Sequence, residues 1–404
     1  MRRLTLTLTV LAALATPALA RANTVTDWNR TMIAALETAK TPPPPANRAA
    51  AIVQAAVYDA ANGIHPRFTP YRVAAAAPPG ASRAAAAAGA AHEALSALFP
   101  DQKATFDAQL APLSASTDPS IVAGLAWGRS VADQILSWRA GDGLNAVLPP
   151  YVPGDAPGDY QPTPPAFGPS PAFRQFAAMA PFALASPSQF DPGPPPGLES
   201  RRYLRDLAEV ERVGGATGAA RADFDTQTAI FWQADTPAAM WDRVADDLAD
   251  RAGVGLLPAA RRLALTNIAL ADATIAVWNA KNEYDRWRPV TAIAAGGDPS
   301  WTPLLVTPAF QEYPAGHPGV SAGAAGVLAA FYGDRTRFTV TSAGLPGVQR
   351  GFAGFQAAVR QVEDARVFGG IHFRFSTTVA ARMGRQVAAY VLDTVMRPLC
   401  RRPR

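Results

Sequence analysis

Apolar residues recur along most of this chain at helical spacing, and no segment shows a convincing strand-like alternation of apolar and polar residues. Proline and glycine divide the periodic stretches into helix-sized pieces. Pro119, Pro237, Pro258 and Pro318 lie where the first turn of a helix tolerates proline, and Gly63 follows a helical run as a stop signal. These signals predict an all-α protein built from packed helical bundles.

The helical signal falls into two regions, residues 21–147 and 199–398, each predicted to form a bundle. The predicted helices are 47–62, 83–98, 119–140, 200–213, 221–233, 237–251, 258–285, 318–331, 347–363 and 376–396. Residues 148–198 between the two regions are rich in proline and glycine. They predict a long irregular connection that wraps a surface or lines an entrance.

The first 20 residues have the pattern of a signal peptide. Two arginines follow the initiator methionine, an apolar run comes next, and an Ala-Leu-Ala sequence precedes Arg21. A membrane anchor is the alternative, but the apolar run is short for a span. We expect an exported protein, periplasmic or secreted, without stable membrane insertion after cleavage. The sequence leaves both Sec and twin-arginine export open.

Composition excludes several classes of protein and of site. Hydrophobic residues make up 49% of the 404 residues and charged residues 17%, which is typical of a folded globular chain. A single cysteine, Cys400, excludes a disulfide scaffold and any cysteine-based zinc, haem or iron–sulfur site. There is no Walker or Rossmann glycine motif. The basic residues are spread along the chain, so we expect no nucleic-acid partner.

Lys281 and Arg288 form the first of three segments suited to binding an anion. They lie seven residues apart, about two helical turns, so a helix would carry both side chains on one face. Pro289 is expected to end that helix. Two neighbouring cations require an anion between them. Glu283 and Asp285 could supply it locally, and for this segment alone a salt-bridged helix end is the commoner arrangement.

The second segment is Gly316-His317-Pro318, which precedes a strongly helical run. This predicts that His317 lies at a helix N-terminus, where unpaired backbone N–H groups and the helix dipole attract an anion. Gly316 allows an oxyanion to approach the main chain closely. In isolation, a histidine at an ordinary turn explains the segment equally well.

The third segment contains Arg366 and His372, six residues apart with two glycines between them. A regular helix would put the two side chains on different faces, but the glycine pair indicates a bend that brings both to one point. Ser376 is a candidate N-cap for the last helix. On its own, this segment also fits an arginine and a histidine that pair elsewhere.

Together the three segments describe a pocket for a tetrahedral or trigonal-bipyramidal oxyanion. They combine three cations, a helix N-terminus and two of the four histidines of the chain. A divalent metal held by carboxylates does not fit such a cationic cluster.

In this order the segments resemble the signature K-x6-RP, (P)SGH and SR-x5-H-x3-D, shared by vanadium-dependent haloperoxidases and the acid phosphatase superfamily. The matching residues are Lys281, Arg288, Pro289, Pro314, Gly316, His317, Arg366 and His372. The resemblance covers most of residues 220–390 and, more loosely, 54–64. It implies two packed four-helix bundles with the active site in the C-terminal one.

The resemblance implies vanadate as the cofactor, with no haem, flavin or divalent metal. His372 would bind vanadium through Nε2, and His317 would be the acid–base group. Lys281 would polarise hydrogen peroxide. The oxygens of vanadate would be held by Lys281, Arg288, Arg366 and the N–H of Gly316.

Residues around the signature also match family positions. Asp235 corresponds to an acidic residue that braces the last arginine, although capping of the next helix explains it equally well. Trp278 and Phe310 correspond to aromatic residues on the halide side of the pocket, although both also suit an ordinary core.

Three residues depart from the family signature. Ala315 and Ala365 stand where the signature has serine, and Ser376 stands where it has aspartate. Loss of a hydrogen bond to a charged group costs about 1.5–3 kcal/mol. We therefore expect weaker vanadate binding from Ala315. Loss of the carboxylate beside His372 affects a phosphohistidine mechanism most.

The sequence thus predicts a haloperoxidase that uses hydrogen peroxide to oxidise bromide or chloride to hypohalous acid or halogenated organics, with a small organic acceptor as a further partner. A phosphomonoester hydrolase is the first alternative, with His372 attacking phosphorus and His317 protonating the leaving alcohol. A non-catalytic anion-binding or partner-binding protein is the second. A homodimer stays open, because Cys400 is either free or a cross-link between two chains.

Overall fold

The computed structural model describes residues 23–399. The predicted signal peptide and Cys400 lie outside these residues. The described chain is mainly α-helical, as predicted. Its α-helices are α1 Thr24–Thr38, α2 Pro43–Gly63, α3 Arg83–Leu98, α4 Lys103–Ser114, α5 Pro119–Arg139, α6 Arg201–Gly214, α7 Asp223–Gln233, α8 Pro237–Arg251, α9 Leu256–Tyr284, α10 Pro289–Ala295, α11 Gly316–Tyr332, α12 Phe355–Phe368 and α13 Arg374–Thr394.

Two short strands, β1 Phe338–Thr341 and β2 Gln349–Phe352, form an antiparallel hairpin. The prediction of a helix over 347–363 is therefore wrong in its first half, since α12 begins only at Phe355. Each strand has four residues, too few for the alternation of buried and exposed side chains to stand out in the sequence. Pro289 begins α10 and does not end the preceding helix, because its missing N–H costs nothing in a first turn.

Most of the helices pack into one large apolar core that draws on both predicted regions, and a smaller cluster joins α6 and α10 to the start of α13. In the first region α3 packs on α2 and α5, and in the second α11 packs on α9 and α13. Helix α2 also packs along α9 and joins the two groups. The division into bundles at 21–147 and 199–398 stays a prediction.

Small residues let the helices approach closely. A methyl group at Gly128 in α5 would overlap the carbonyl oxygen of Ala86 in α3. A methyl group at Gly384 in α13 would overlap the carbonyl oxygen of Gly319 in α11. The second contact matters for function, because α11 carries His317 and α13 follows His372.

Helix α9 is the long central element of the core. Within the described residues it is the one helix long and apolar enough to cross a membrane by length and composition, yet 94% of its most apolar window is buried inside the protein. Burial on all sides explains why its sequence is apolar around the whole helix. Its C-terminal end delivers Trp278 and Lys281 to the candidate site.

The Pro/Gly-rich connection 148–198 contains no α-helix. Buried Asp272 of α9 accepts hydrogen bonds from the backbone N–H groups of Phe182, Ala183 and Leu184 at 2.6–3.0 Å. Further along the same helix, Trp278 donates to the carbonyl of Ala172 at 3.4 Å. The connection therefore wraps α9 and fixes Phe173, which lines the candidate site.

Candidate active site

The second and third anion-binding segments line one cavity of about 140 Å³. Lys281 and Arg288 of the first segment lie behind its wall, against Phe310 and His372. Gly316, His317, Arg366 and His372 all line it. The rest of the wall is mostly apolar, with Asn47 and Gln233 as polar members; its apolar residues are Pro43, Pro44, Phe173, Pro237, Trp278, Pro308, Phe310 and Val320. The cavity is therefore a narrow apolar space with a cationic, imidazole-bearing floor.

Lys281 is fully buried at the end of α9 and donates to the carbonyls of Gln311 at 2.6 Å and Glu312 at 3.0 Å. Burial, and then the nearby Arg288 guanidinium, hold the pKa of Lys281 well below its usual range. An anion bound beside it would favour the charged ammonium again.

The structure brings Lys281 and Arg288 together, but not along one helix face as predicted. Helix α9 ends at Tyr284, and Asp285 adopts a left-handed conformation with φ 39°. The chain turns there, so Arg288 lies outside α9 and precedes α10. Asp285 accepts hydrogen bonds from Tyr151 and Gln311 and does not pair with either cation.

The guanidinium of Arg288 is fully buried and held by main-chain carbonyls. It donates to Phe310 O at 2.7 Å and to Ile371 O at 2.8 Å, and its Nη1 also lies 3.0 Å from His372 Nε2. Burial lowers the pKa of Arg288 to about 10, so the group remains charged at neutral pH. Its Nη2 has no hydrogen-bond partner among residues 23–399.

Arg366 is 1% exposed, and its Nε and Nη1 also lack partners within the described chain. Burial, followed by repulsion from Arg288, lowers its pKa to about 9, so it too remains charged at neutral pH. Buried charged N–H groups are costly when left unpaired. The unpaired groups on both arginines therefore fit a site built to receive an anion.

His372 makes a contact that the sequence analysis missed. Its Nδ1 lies 2.9 Å from Oε1 of Glu312, and the same oxygen accepts the backbone N–H of Phe373 at 3.0 Å. Burial raises the pKa of Glu312 to about 7, against the opposing effect of Lys281 and Arg288. Burial, and then Arg288, hold the pKa of His372 well below its usual range, so the ring is neutral.

One sequence feature could have pointed to Glu312 as the partner of His372, namely the absence of an aspartate at position 376. A buried histidine in a cationic pocket requires a carboxylate partner from some other segment. Glu312 lies sixty residues away from His372 along the chain. No local spacing rule connects residues that far apart.

His317 lies in the first turn of α11, as predicted. Burial and the charge of Arg366 hold its pKa well below the usual range, so the imidazole is neutral and can accept a proton. His317 also lines an outer chamber of about 390 Å³, bordered by Lys40, Gln233 and Gly344. It therefore stands between the narrow inner cavity and the outer chamber.

Asp235 does not brace Arg366 in the structure. It pairs with Arg243 and accepts the backbone N–H of Ala343 at 2.8 Å, in the wall of the outer chamber. The capping alternative is also wrong, because Thr236 caps α8 through the N–H of Ala239. Asp235 instead forms an ion pair with Arg243, nearly two turns into α8.

Ser376 is not the N-cap of the last helix, which begins at Arg374 after Phe373. Its hydroxyl donates to the carbonyl of Glu312 at 3.4 Å, so it lies against the residue that holds His372. Ala315 occupies the N-cap position of α11 and makes no side-chain cap hydrogen bond. The site thus lacks the serine hydroxyl of the signature at that position.

The aromatic pair lies in the wall of the cavity. The rings of Trp278 and Phe310 are 5.2 Å apart between centroids and both line the cavity. The ammonium of Lys281 lies 5.2 Å from the Phe310 ring and 5.9 Å from the Trp278 ring. A role in halide binding stays a prediction.

Comparison with known proteins relates this geometry to a family. The family described as "VCPO second helical-bundle domain" matches residues 261–400, which contain all three segments. The crystal structure of the first bacterial vanadium-dependent iodoperoxidase superposes with a TM-score of 0.84 at 27% sequence identity, covering 95% of this chain and 99% of that one. In sequence and fold, the chain resembles the bacterial vanadium-dependent haloperoxidases. The resemblance predicted from the three segments is confirmed.

The relationship to the haloperoxidases extends further. Vanadium chloroperoxidase of Curvularia inaequalis is 28% identical over 195 residues, which is 37% of this chain and 32% of the chloroperoxidase. The matched part thus spans about a third of that relative's length. Structures of apo and holo bacterial vanadium-dependent chloroperoxidases share the fold, with TM-scores of 0.72 and 0.70 at 18% and 17% identity. The superposition with the apo structure covers 85% of this chain and 93% of the chloroperoxidase, and that with the holo structure covers 93% of each.

Proposed function

We propose that this protein is a vanadate-dependent haloperoxidase that oxidises halide with hydrogen peroxide to hypohalous acid or halogenated organics. One observation carries the proposal: Arg288 and Arg366 are buried, charged and incompletely hydrogen-bonded beside two neutral histidines. The related proteins named above are chloroperoxidases and an iodoperoxidase. Bromide and chloride are the proposed substrates, and iodide belongs in the same assay.

Vanadate fits the donor set because its oxygens would accept the unpaired N–H groups of both arginines. The N–H of Gly316 and the ammonium of Lys281 would hold it as well. His372 would bind vanadium through Nε2. When bound, vanadate supplies an oxyanion centre that activates hydrogen peroxide toward halide. We propose it as the cofactor without haem, flavin or a divalent metal, and elemental analysis of the purified protein tests this.

The remaining chemistry falls to the side chains of the chain. The overall reaction consumes one proton, one halide and one hydrogen peroxide, and it yields hypohalous acid and water. His317 is neutral, so its ring accepts a proton from incoming hydrogen peroxide and returns it to the departing oxygen. Trp278 and Phe310 exclude water from one side of the cavity. The outer chamber gives reactants a path to His317.

Phosphomonoester hydrolysis is the alternative, because phosphate and vanadate have similar shape and charge. The named relatives favour the haloperoxidase. Ser376 does not separate the two reactions, because Glu312 supplies a carboxylate to His372 from another segment.

The test uses mature protein purified without phosphate. Oxidation of chloride, bromide and iodide by hydrogen peroxide is measured with and without added orthovanadate, beside hydrolysis of p-nitrophenyl phosphate. Vanadate-dependent halide oxidation supports the proposal. Phosphate ester hydrolysis that vanadate inhibits, without halide oxidation, would indicate a phosphatase. No activity in either assay would favour a binding protein.

We also propose export to the periplasm or the medium, on the strength of the first 20 residues. Cell fractionation with an antibody against the mature protein tests this, and retention of the full-length chain in the cytoplasm contradicts it. Sedimentation of the purified protein distinguishes a monomer from a homodimer.

A further inference from the structure

Glu312 is a buried carboxylate in direct contact with the candidate vanadium ligand. The family signature takes the carboxylate near this histidine from the position that Ser376 occupies here. We infer that Glu312 is a positioning residue that replaces the missing carboxylate at position 376 and holds His372 with its proton on Nδ1 and its lone pair on Nε2. The vanadium-binding part of this inference rests on the proposed function.

The partners of His372 determine its tautomer. An arginine can only donate, so Nε2 accepts a hydrogen bond from Arg288 Nη1 at 3.0 Å. In a neutral ring the proton must then lie on Nδ1, which faces Glu312 Oε1 at 2.9 Å. The two contacts agree, and they place the lone pair on Nε2, the nitrogen that a vanadium ligand requires. Arg288 Nη1 would give up this hydrogen bond when vanadium binds there and would donate to a vanadate oxygen instead.

Glu312 also fixes the orientation of the ring relative to the main chain. One carboxylate oxygen accepts both the His372 Nδ1–H and the Phe373 N–H, which come from adjacent residues. The main-chain carbonyl of Glu312 accepts the ammonium of Lys281 at 3.0 Å. Changing the side chain alone therefore alters the contact to His372 and leaves the main-chain contact to Lys281 in place.

Position 376 lies next to this carboxylate. The hydroxyl of Ser376 is 3.4 Å from the main-chain oxygen of Glu312, and both residues are fully buried. A second carboxylate at 376 would meet the charge of Glu312 in a site with little water, which is unfavourable. The two positions should therefore be alternatives, and this chain uses 312.

The experiment compares Glu312→Ala, Glu312→Gln, Ser376→Asp and the double variant Glu312→Ala with Ser376→Asp. Glu363→Gln is the matched control, because this partly buried glutamate on α12 contacts Thr378 outside the site. Orthovanadate affinity is measured by ultrafiltration, and the 15N shifts of the His372 ring are recorded in the apoprotein. Circular dichroism checks the fold of each variant.

We expect Glu312→Ala to weaken orthovanadate binding by about 10–100-fold, the usual effect of losing the partner of a ligating histidine. Glu312→Gln keeps an acceptor and should lose less. Ser376→Asp alone should bind no more tightly than wild type, whereas the double variant should recover affinity relative to Glu312→Ala. In wild type the 15N shifts should show a protonated Nδ1, and in Glu312→Ala a mixture of tautomers.

Wild-type affinity and an unchanged tautomer in Glu312→Ala would overturn the positioning role. A double variant no better than Glu312→Ala would overturn the replacement of position 376. Glu312→Leu, which removes the acceptor but keeps most of the side-chain volume, gives the same test if the alanine variant fails to fold. The apoprotein shifts do not depend on vanadium, so they separate this inference from the proposed function. If wild type shows the Nδ1 tautomer but binds no orthovanadate, the proposed function fails and the positioning stands.

Discussion

Nη1 of Arg288 lies 3.0 Å from Nε2 of His372, so the nitrogen assigned to vanadium faces a guanidinium held by two main-chain carbonyls. Burial, and then the charge of the same guanidinium, lower the pKa of His372 and keep the imidazole neutral. A protonated ring could not act as a ligand. Arg288 therefore serves the site in two ways. It can donate hydrogen bonds to a bound anion, and its charge helps to keep the His372 imidazole unprotonated.

Ala315→Ser should tighten orthovanadate binding by about tenfold, because one hydrogen bond to a charged group contributes about 1.5–3 kcal/mol and part of that is lost to ordering the hydroxyl. The side chain of Ala315 is fully buried at the N-cap of α11, beside Gly316. Ultrafiltration with orthovanadate measures the change. Ala330→Ser, on an exposed position of the same helix, is the control. Unchanged affinity in Ala315→Ser would show that position 315 does not reach the anion.

Arg366→Met should raise the pKa of His317, because the charge of Arg366 helps to hold that pKa below its usual range. His317 would then become protonated at a higher pH, and the acid limb of halide oxidation would move upward. An NMR titration of His317 in the apoprotein measures the shift independently of turnover. Arg360→Met, on an exposed position of α12, should leave the titration of His317 unchanged. An unchanged pKa of His317 in Arg366→Met would contradict the electrostatic argument.

Asp246→Asn should stabilise the protein at alkaline pH. Burial raises the pKa of Asp246 to about 8, above its value in the unfolded chain. The folded state thus holds the proton more tightly than the unfolded chain does. The resulting contribution to the free energy of unfolding is fully present below about pH 4 and is lost as pH rises through about 8. Asparagine cannot ionise. When the pH is raised from 5 to 9, the free energy of unfolding of the variant should therefore increase by about 1–3 kcal/mol relative to that of the wild type. Urea unfolding at both pH values measures the gain, with exposed Asp247→Asn as the comparison. Equal pH dependence in the two variants would contradict the assignment.

Gly384→Ala should destabilise the protein by about 1–3 kcal/mol, the usual cost of overpacking. The added methyl group would overlap the carbonyl oxygen of Gly319 and push α11 away from α13. Urea unfolding measures the loss. Gly141→Ala, where the added carbon meets nothing within 4 Å, controls for the change of residue type. Similar losses in the two variants would show that the helix crossing tolerates the extra volume.

Local chemistry made much of the fold predictable. The bounds of α3 and α8 agree with the prediction, because Ser82 and Thr236 cap these helices through bonds to residues three positions ahead. The hairpin β1–β2 was missed because its stability comes from packing of Phe338 against Phe352 and Phe355, and not from strand propensity over a long run. Helix α10 was missed because it has only seven residues.

The sequence by itself determined the all-α fold and the chemical character of the site, since helix periodicity, capping and residue type act over a few residues. Tertiary structure alone decided how Arg288 reaches His372, that Asp235 binds Arg243, and that Glu312 supplies the carboxylate missing at Ser376. These contacts join distant segments whose approach depends on how α9, α11 and α13 pack. A carboxylate has no preference for a partner along the chain. It binds whichever donor the packed helices bring within about 3 Å.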